Sequence, residues 1–525
     1  MKRIKSNLIA GLALAIIVSG ASAQPSRLAW VRGTGANDIV MDTGCDVLTD
    51  NLGRFVVVGG SKQPDGSHKG CITVFNRNRS VVDVVEVTRP GGGSLMFHLV
   101  RQVGNKLYVA ANGSPSATGA HRELRFFTFD LDLNPLGSTA TEDNPAGLAA
   151  EPTDIKVDAN GNAYICGTFE KAGPTWQTFL RRVDNGATNY TPTFTDILIS
   201  SYSQPKIELN GIIAILIGLL TPDGPELRSY SPSGGLNWSF GASIPTFSTF
   251  FGLCTNENLN EVTFATGEGQ TSSDIDGYTR MINRTTGAVT FTNVFNPGVG
   301  LVSPRDPASG QATGKTRATW MFDPSGSAPI EGWMEIIAVN HTVVTQKLGN
   351  FEIQGISTLG EDKYGETGVA LVRPGANGLF TKYNSNDVPR FSWGLAQTGF
   401  VLPNLEQSNA YEPLSGDIAI LQEDGKRFSL TCIQQAPVGV SDFYQPRSGR
   451  FFRPLNPVTF NDRYAGGATI TVTQQPTHGS LNMGANGIFN YTSAQGYVGL
   501  DSFKYTLTKP GLSSTTVTVN LNVRP

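Results

Sequence analysis

The residues best equipped for chemistry in this chain are carboxylates spaced four apart. Asp46 and Asp50 form one pair, and Asp154 and Asp158 form another further along. Two carboxylates at close range serve general acid–base hydrolysis when one keeps its proton and the other does not. A catalytic pair occurs once in a site, whereas this one recurs at the same place in a repeated segment. The expected role is therefore structural, capping turns and receiving backbone N–H groups. Asp130-Leu-Asp132-Leu-Asn134 and Asp274-Ile-Asp276-Gly277 have the alternating oxygen spacing that calcium uses, but neither runs on to the glutamate that completes an EF-hand loop. Polar hairpin turns are expected at both, with calcium as the second reading.

The other reactive types are dispersed. His68, His98, His121, His341 and His478 include no HxH or HExxH pair, and His121-Arg122-Glu123 lacks the further ligand that a zinc site needs. No serine lies in a GxSxG elbow. A triad assembled from distant residues stays open, because triads are defined by geometry rather than order. Pro90-Gly-Gly-Gly-Ser94 has no following Lys-Ser/Thr to make a phosphate cradle, and a flexible loop is expected there. Cysteines at 45, 71, 166, 254 and 432 form no CxxC and are odd in number, which favours buried single thiols. No catalytic, cofactor-binding or metal-binding residue is assigned on this basis.

The elements that would position these residues repeat. Asp46 to Ser61 (DVLTDNLGRFVVVGGS) and Asp154 to Phe169 (DIKVDANGNAYICGTF) align at both aspartates, at Gly53 with Gly161 and at Gly59 with Gly167. Each reads as two strands joined by a tight turn, with Asn160-Gly161-Asn162 supplying positive φ. Weaker copies follow at about 45 to 55 residues per unit, the length of a four-stranded propeller blade. Leu28-Ala29-Trp30, Leu236-Asn237-Trp238 and Phe391-Ser392-Trp393 fall where a fourth strand belongs. Their recurrence favours packing between units over a carbohydrate-stacking groove. Trp30 precedes the first full unit, while Asp417 to Cys432 lacks a fourth strand, so joining the two closes a ring. Residues 300–350 give no clear strand pattern.

Residues 28–61 and 153–184 resemble the β-propeller repeat of secreted bacterial surface proteins. That resemblance implies a propeller of seven or eight four-stranded blades over residues 24–435, with a pair of β-sandwiches or a β-helix as the alternative. Pro437, Pro446, Pro454 and Pro457 mark residues 436–455 as a linker or lead-in. The segments Gln475-Pro-Thr-His-Gly-Ser-Leu, Gly487-Ile-Phe-Asn-Tyr-Thr and Gly499-Leu-Asp-Ser-Phe-Lys-Tyr-Thr are similar to the immunoglobulin-like, cadherin-like repeats of bacterial surface proteins, implying a β-sandwich over residues 456–525. Such repeats often carry an acidic turn that takes calcium between copies. Here the turn is Thr508-Lys509-Pro510-Gly511, with a cation in place of the carboxylate.

Lys2, Arg3 and Lys5 precede an apolar run from Leu8 to Val18, and Ala21-Ser22-Ala23 offers the small-x-small pattern of signal-peptidase cleavage. A removable signal over residues 1–23 is expected. Gly211 to Leu220 is apolar throughout but too short to span a bilayer as a helix, and reads as a buried strand pair. Charged residues make up only 16% and the formal charge is −3, which gives no electrostatic basis for nucleic-acid binding. The expectation is an all-β, secreted or cell-surface protein with no transmembrane span after signal removal. A binding or scaffold role towards an unidentified extracellular ligand leads, with glycans and envelope components as the classes to try. The alternative is a secreted propeller hydrolase or lyase acting on polysaccharide, lactone or peptide.

Overall fold

The computed structural model describes residues 2–4, 26–33, 41 and 43–525, the last range without 78–79, 118, 138–139, 174, 188, 191–196, 200–203, 242–246, 311, 325–328, 349–354, 373–376, 399–408, 413–414 and 424–427. The expected signal segment lies outside the described residues apart from Lys2–Ile4. One short 3-10 turn, Glu257–Leu259, is the only helical element among the described residues, and none of them forms a helix long and apolar enough to cross a membrane. The chain divides into a larger unit, mostly residues 31–410, and a smaller one containing residues 432–525.

The larger unit is a succession of antiparallel meanders in which each strand pairs with the one before it. Four-stranded meanders span residues 43–87, 94–143, 150–199, 206–241 and 355–398, the first extended by Lys2–Ile4 to a five-stranded sheet. Residues 247–295 and 300–347 form two more meanders, joined by a single parallel pair between Ile275 and Leu301. A further sheet runs in the order Ser26–Gly33, Phe428–Gln435, Ile418–Glu423, Asn409–Tyr411. The strand that carries Trp30 thus completes the last repeat, as its position in the sequence predicts. Repeated four-stranded meanders with a terminal strand returned to the last sheet are the architecture of a β-propeller.

Apolar clusters bind successive sheets from residues 43–87 to 355–398. Val56, Ile72 and Val85 pack with Leu95, Phe97 and Phe127, Phe126 packs with Ile165 and Phe179, and Leu216 packs with Val262 and Phe264. A sheet covered on both faces needs apolar side chains in both directions, so Phe55–Val58 are all buried and do not alternate. Trp238 packs against the Leu216 cluster, and its Nε1 donates to Arg284 O at 3.3 Å, which fits inter-unit packing.

Three expectations need correction. Gly211–Ile213 form a turn with Ile212 55% and Ile213 71% exposed, and only Ala214–Thr221 is a strand, so the apolar run is not a buried pair. Residues 300–347 hold a full meander whose first strand, Gly300–Ser309, contains Pro304 and Pro307 and a register break between Arg305 and Ala308. Residues 436–455 are more than a linker. Asp442–Tyr444 runs parallel to Thr515–Val523, and Phe451–Phe452 pairs with Phe489–Ser493. Both are edge strands, where prolines nearby cost no ladder hydrogen bond.

In the smaller unit, one sheet is ordered Asp442–Tyr444, Thr515–Val523, Gly499–Thr508, Thr469–Gln474, and the other Phe451–Phe452, Phe489–Ser493, Gly479–Met483. Asp501, Phe503, Tyr505 and Leu507 point inward alternately. The apolar members join Phe489, Tyr491, Val517 and Val519 in a sandwich core.

Candidate functional site

In the larger unit the first strand of several meanders carries a β-bulge at one recurring place: between Gly44 and Asp46, Phe97 and Leu99, Pro152 and Asp154, and Phe250 and Gly252. The bulge aims the following side chain at the next sheet. Asp46 Oδ2 accepts from Val100 N at 2.8 Å, and Asp154 Oδ2 accepts from Ile207 N at 3.0 Å. Each carboxylate also accepts, through Oδ1, the N–H of the residue after it at 2.8 Å. Arg101 lies between the two, 3.1 Å from Asp46 and 3.3 Å from Asp154. The repeated first aspartates are therefore staples between successive sheets. Burial pushes the Asp46 carboxyl up to about 7, against the pull of Arg101 and the two N–H groups.

The second aspartate of each pair closes the hairpin turn. Asp50 Oδ1 accepts from Leu52 N and Arg54 N, and Asp158 Oδ1 from Asn160 N and Asn162 N. Asp362 does the same with Tyr364 N and Glu366 N, while its Oδ2 meets Lys382 Nζ at 2.9 Å in a fully buried pair. Asp130 at the first calcium-like string accepts from Asn134 N and Nδ2, both at 2.8 Å, which makes a polar hairpin turn. A cleft of about 540 Å³ near residues 309–312 and 360–363 is similarly committed, since Glu361 holds Thr313 and Arg317 and Asp362 holds Lys382.

Two arrangements remain partly open or unrepeated. Arg101 and Lys156, 24% and 28% exposed, stand on successive first strands, and Lys156 pairs with Glu208 on the next at 3.0 Å. Burial alone would lower the Lys156 ammonium, but Glu208 and then Asp154 hold it above its ordinary value. Thr255 Oγ1 reaches Glu208 Oε2 at 3.3 Å, extending the ladder to a further sheet. This polar strip, from Arg101 to Thr255, can present hydrogen bonds and both signs of charge to a ligand.

The second arrangement was invisible in the sequence. His121 Nε2 lies 3.1 Å from Ser94 Oγ, and His121 Nδ1 lies 2.8 Å from Asn112 Oδ1. Ser94 Oγ also accepts from His68 N at 2.9 Å, and Asn112 Nδ2 donates to Ala150 O at 3.1 Å. With the proton on Nδ1 every bond in this relay points the same way, across three successive sheets. It has the nucleophile–base–orienter order of a triad, but Ser94 and Asn112 are buried. Burial, then His98 and His68, lowers the His121 imidazole to about 4. His98 is half-buried, and desolvation pulls its imidazole down against a hydrogen bond with Asn112.

In the sandwich the motif residues hold one another. Asp501 accepts from Thr477 N, His478 N, Ser502 N and the Tyr491 hydroxyl, tying all three segments together. Lys509, the cation at the expected acidic turn, is buried and donates to Ser415 O at 2.9 Å and Gln435 O at 3.2 Å.

Residues 434–522 match the bacterial Ig domain family. No curated protein matches the chain. Among solved structures, the Dos1 propeller is 10% identical and covers 77% of this chain and 94% of its own, with a TM-score of 0.45. The WD40 domain of Toxoplasma gondii coronin is 10% identical over 62% and 78%, with a TM-score of 0.40. The propeller domain of the Trilobed protease from Pyrococcus furiosus is 10% identical over 64% and 94%, with a TM-score of 0.38. The chain is thus a β-propeller followed by a C-terminal bacterial Ig domain, with the propeller resting on its own sheet topology.

Proposed function

We propose that this is an exported or surface-associated bacterial binding protein whose propeller has eight blades, seven of them continuous meanders and one completed by the N-terminal strand. Ligand recognition belongs to the propeller, on the polar strip Arg101, Lys156, Glu208 and Thr255. The Ig domain serves as spacer or attachment module. The observation that carries the reading is that the repeated carboxylates are consumed by staples and turns, while the strip keeps partly exposed groups of both charges. Fold alone does not fix function, so a direct assay decides. A glycan and cell-envelope binding screen is run on the whole chain and on a form lacking residues 436–525. Retained binding by the shorter form supports recognition by the propeller. Binding that disappears with the Ig domain sinks it.

One observation favours a second reading, a secreted hydrolase: the Ser94–His121–Asn112 relay. Hydrolysis would require Ser94, buried in this structure, to become exposed. Labelling of Ser94 by a fluorophosphonate, abolished in Ser94→Ala, would support hydrolysis. An unlabelled serine in folded protein leaves the relay as an internal tie between sheets.

A further inference from the structure

The outer strand of the 43–87 sheet, Val81–Val87, differs from its counterparts. Val81, Asp83, Val84, Val85, Glu86 and Val87 are all buried, whereas the outer strands Leu236–Gly241 and Val289–Phe295 are largely exposed or half-buried. Its free edge is also occupied. Lys2–Ile4 pairs with it antiparallel, placing Lys2 opposite Glu86, Arg3 opposite Val85 and Ile4 opposite Val84. Among the described residues no other meander carries an added strand of this kind.

We propose that the Val81–Val87 edge is a strand-addition site for a basic extended peptide of a partner, held by the chain's own N-terminal segment until that segment leaves. The proposal rests on the export reading in one respect, since removal of residues 1–23 is what frees the edge. In strand addition the backbone ladder gives affinity, and side chains opposite one another give selectivity. The edge reads Val-Val-Asp-Val-Val-Glu-Val, two acids and no base. A second copy pairing symmetrically about Val84 and Val85 would set Asp83 against Glu86, acid opposite acid, which is unfavourable. A cation opposite Glu86 is favourable. An uncovered edge of this composition otherwise invites association.

The test uses the full chain with its N-terminus intact, verified by mass, and hydrogen exchange at Val84–Glu86. Arg3→Pro, which cannot continue the ladder, is expected to speed exchange there at least tenfold. A synthetic peptide with the sequence of residues 1–7 restores protection, and one with Glu at positions 2 and 3 restores it several-fold less. Glu86→Lys reverses that preference. Unchanged exchange in Arg3→Pro overturns the site, and equal protection by both peptides overturns its choice of a basic strand. Protection without peptide, accompanied by dimers in light scattering, makes a second copy the occupant and overturns the partner assignment. Whether the leader is removed is read separately, from the mass of the secreted protein, so failure of export and failure of the edge are told apart.

Discussion

The carboxylates of this chain show how one residue type divides between latch and turn. Asp154 ties its own sheet to the next through Ile207 N and Arg101, so Asp154→Ala leaves a buried N–H without its acceptor and a guanidinium short of one partner. A loss of about 2–4 kcal/mol is expected, measured by urea unfolding, with exposed Asp132→Ala within about 0.5 kcal/mol of the parent. Titration gives a second prediction. His121 is held neutral by burial and titrates at about 4 against an ordinary 6.5, so the unfolded chain takes up the proton first as pH falls. The stability it contributes is full above pH 6.5 and is lost progressively as pH falls from there through 4. Glu335 has the opposite sign. Burial raises it to about 7 despite hydrogen bonds from Trp320, Thr279 and Asn293, so its contribution is full below about 4.5 and is lost as pH rises through 7. His121→Gln should flatten the acid limb of a stability–pH curve, and Glu335→Gln the limb between pH 4.5 and 7. Unaltered limbs would contradict both assignments.

At the scale of strands, the aligned glycines have a cause that the sequence could not display. A Cβ on Gly59 would lie 1.8 Å from Thr43 O, and one on Gly167 would lie 2.0 Å from Glu151 O. Both face the strand segment just before a bulge. Gly59→Ala and Gly167→Ala should each cost about 3 kcal/mol or more. Gly104→Ala, at φ 57° with open space around it, should cost about 1 kcal/mol. Thermal melts of the three variants check that order. The strong hairpins were legible because alternating apolar residues and Asn-Gly turns agree with each other. The Gly300–Ser309 strand was not, because two prolines and a register break erase its period of two. Ile212 and Ile213 misled because hydrophobicity does not say which residues of an apolar run occupy a turn. The His121 relay was illegible because Ser94, Asn112 and His121 come from different elements, and only sheet register and connecting loops bring them together.

For the whole molecule, the repeat and the terminal sandwich were readable from period and motif, while the pairing of the sheets' edges was readable only from what each end lacked. Removing residues 1–33 deprives Phe428–Gln435 of its outer neighbour. The melting temperature should fall on the order of 10 °C, with a broader calorimetric transition. A melt indistinguishable from that of the full chain would mean that the closing strand adds nothing.

That same pairing sets a timetable for folding. The strand at residues 26–33 precedes its partner at 428–435 by about 400 residues. Every sheet between can form from neighbours in the chain, but this one must wait until residues 428–435 have been made. The entropy of closing so long a loop grows only logarithmically with length, so delay, more than thermodynamic cost, is the hazard. Throughout that interval the strand at residues 26–33 stays unsatisfied and open to wrong partners, and a holding chaperone would act on it longest.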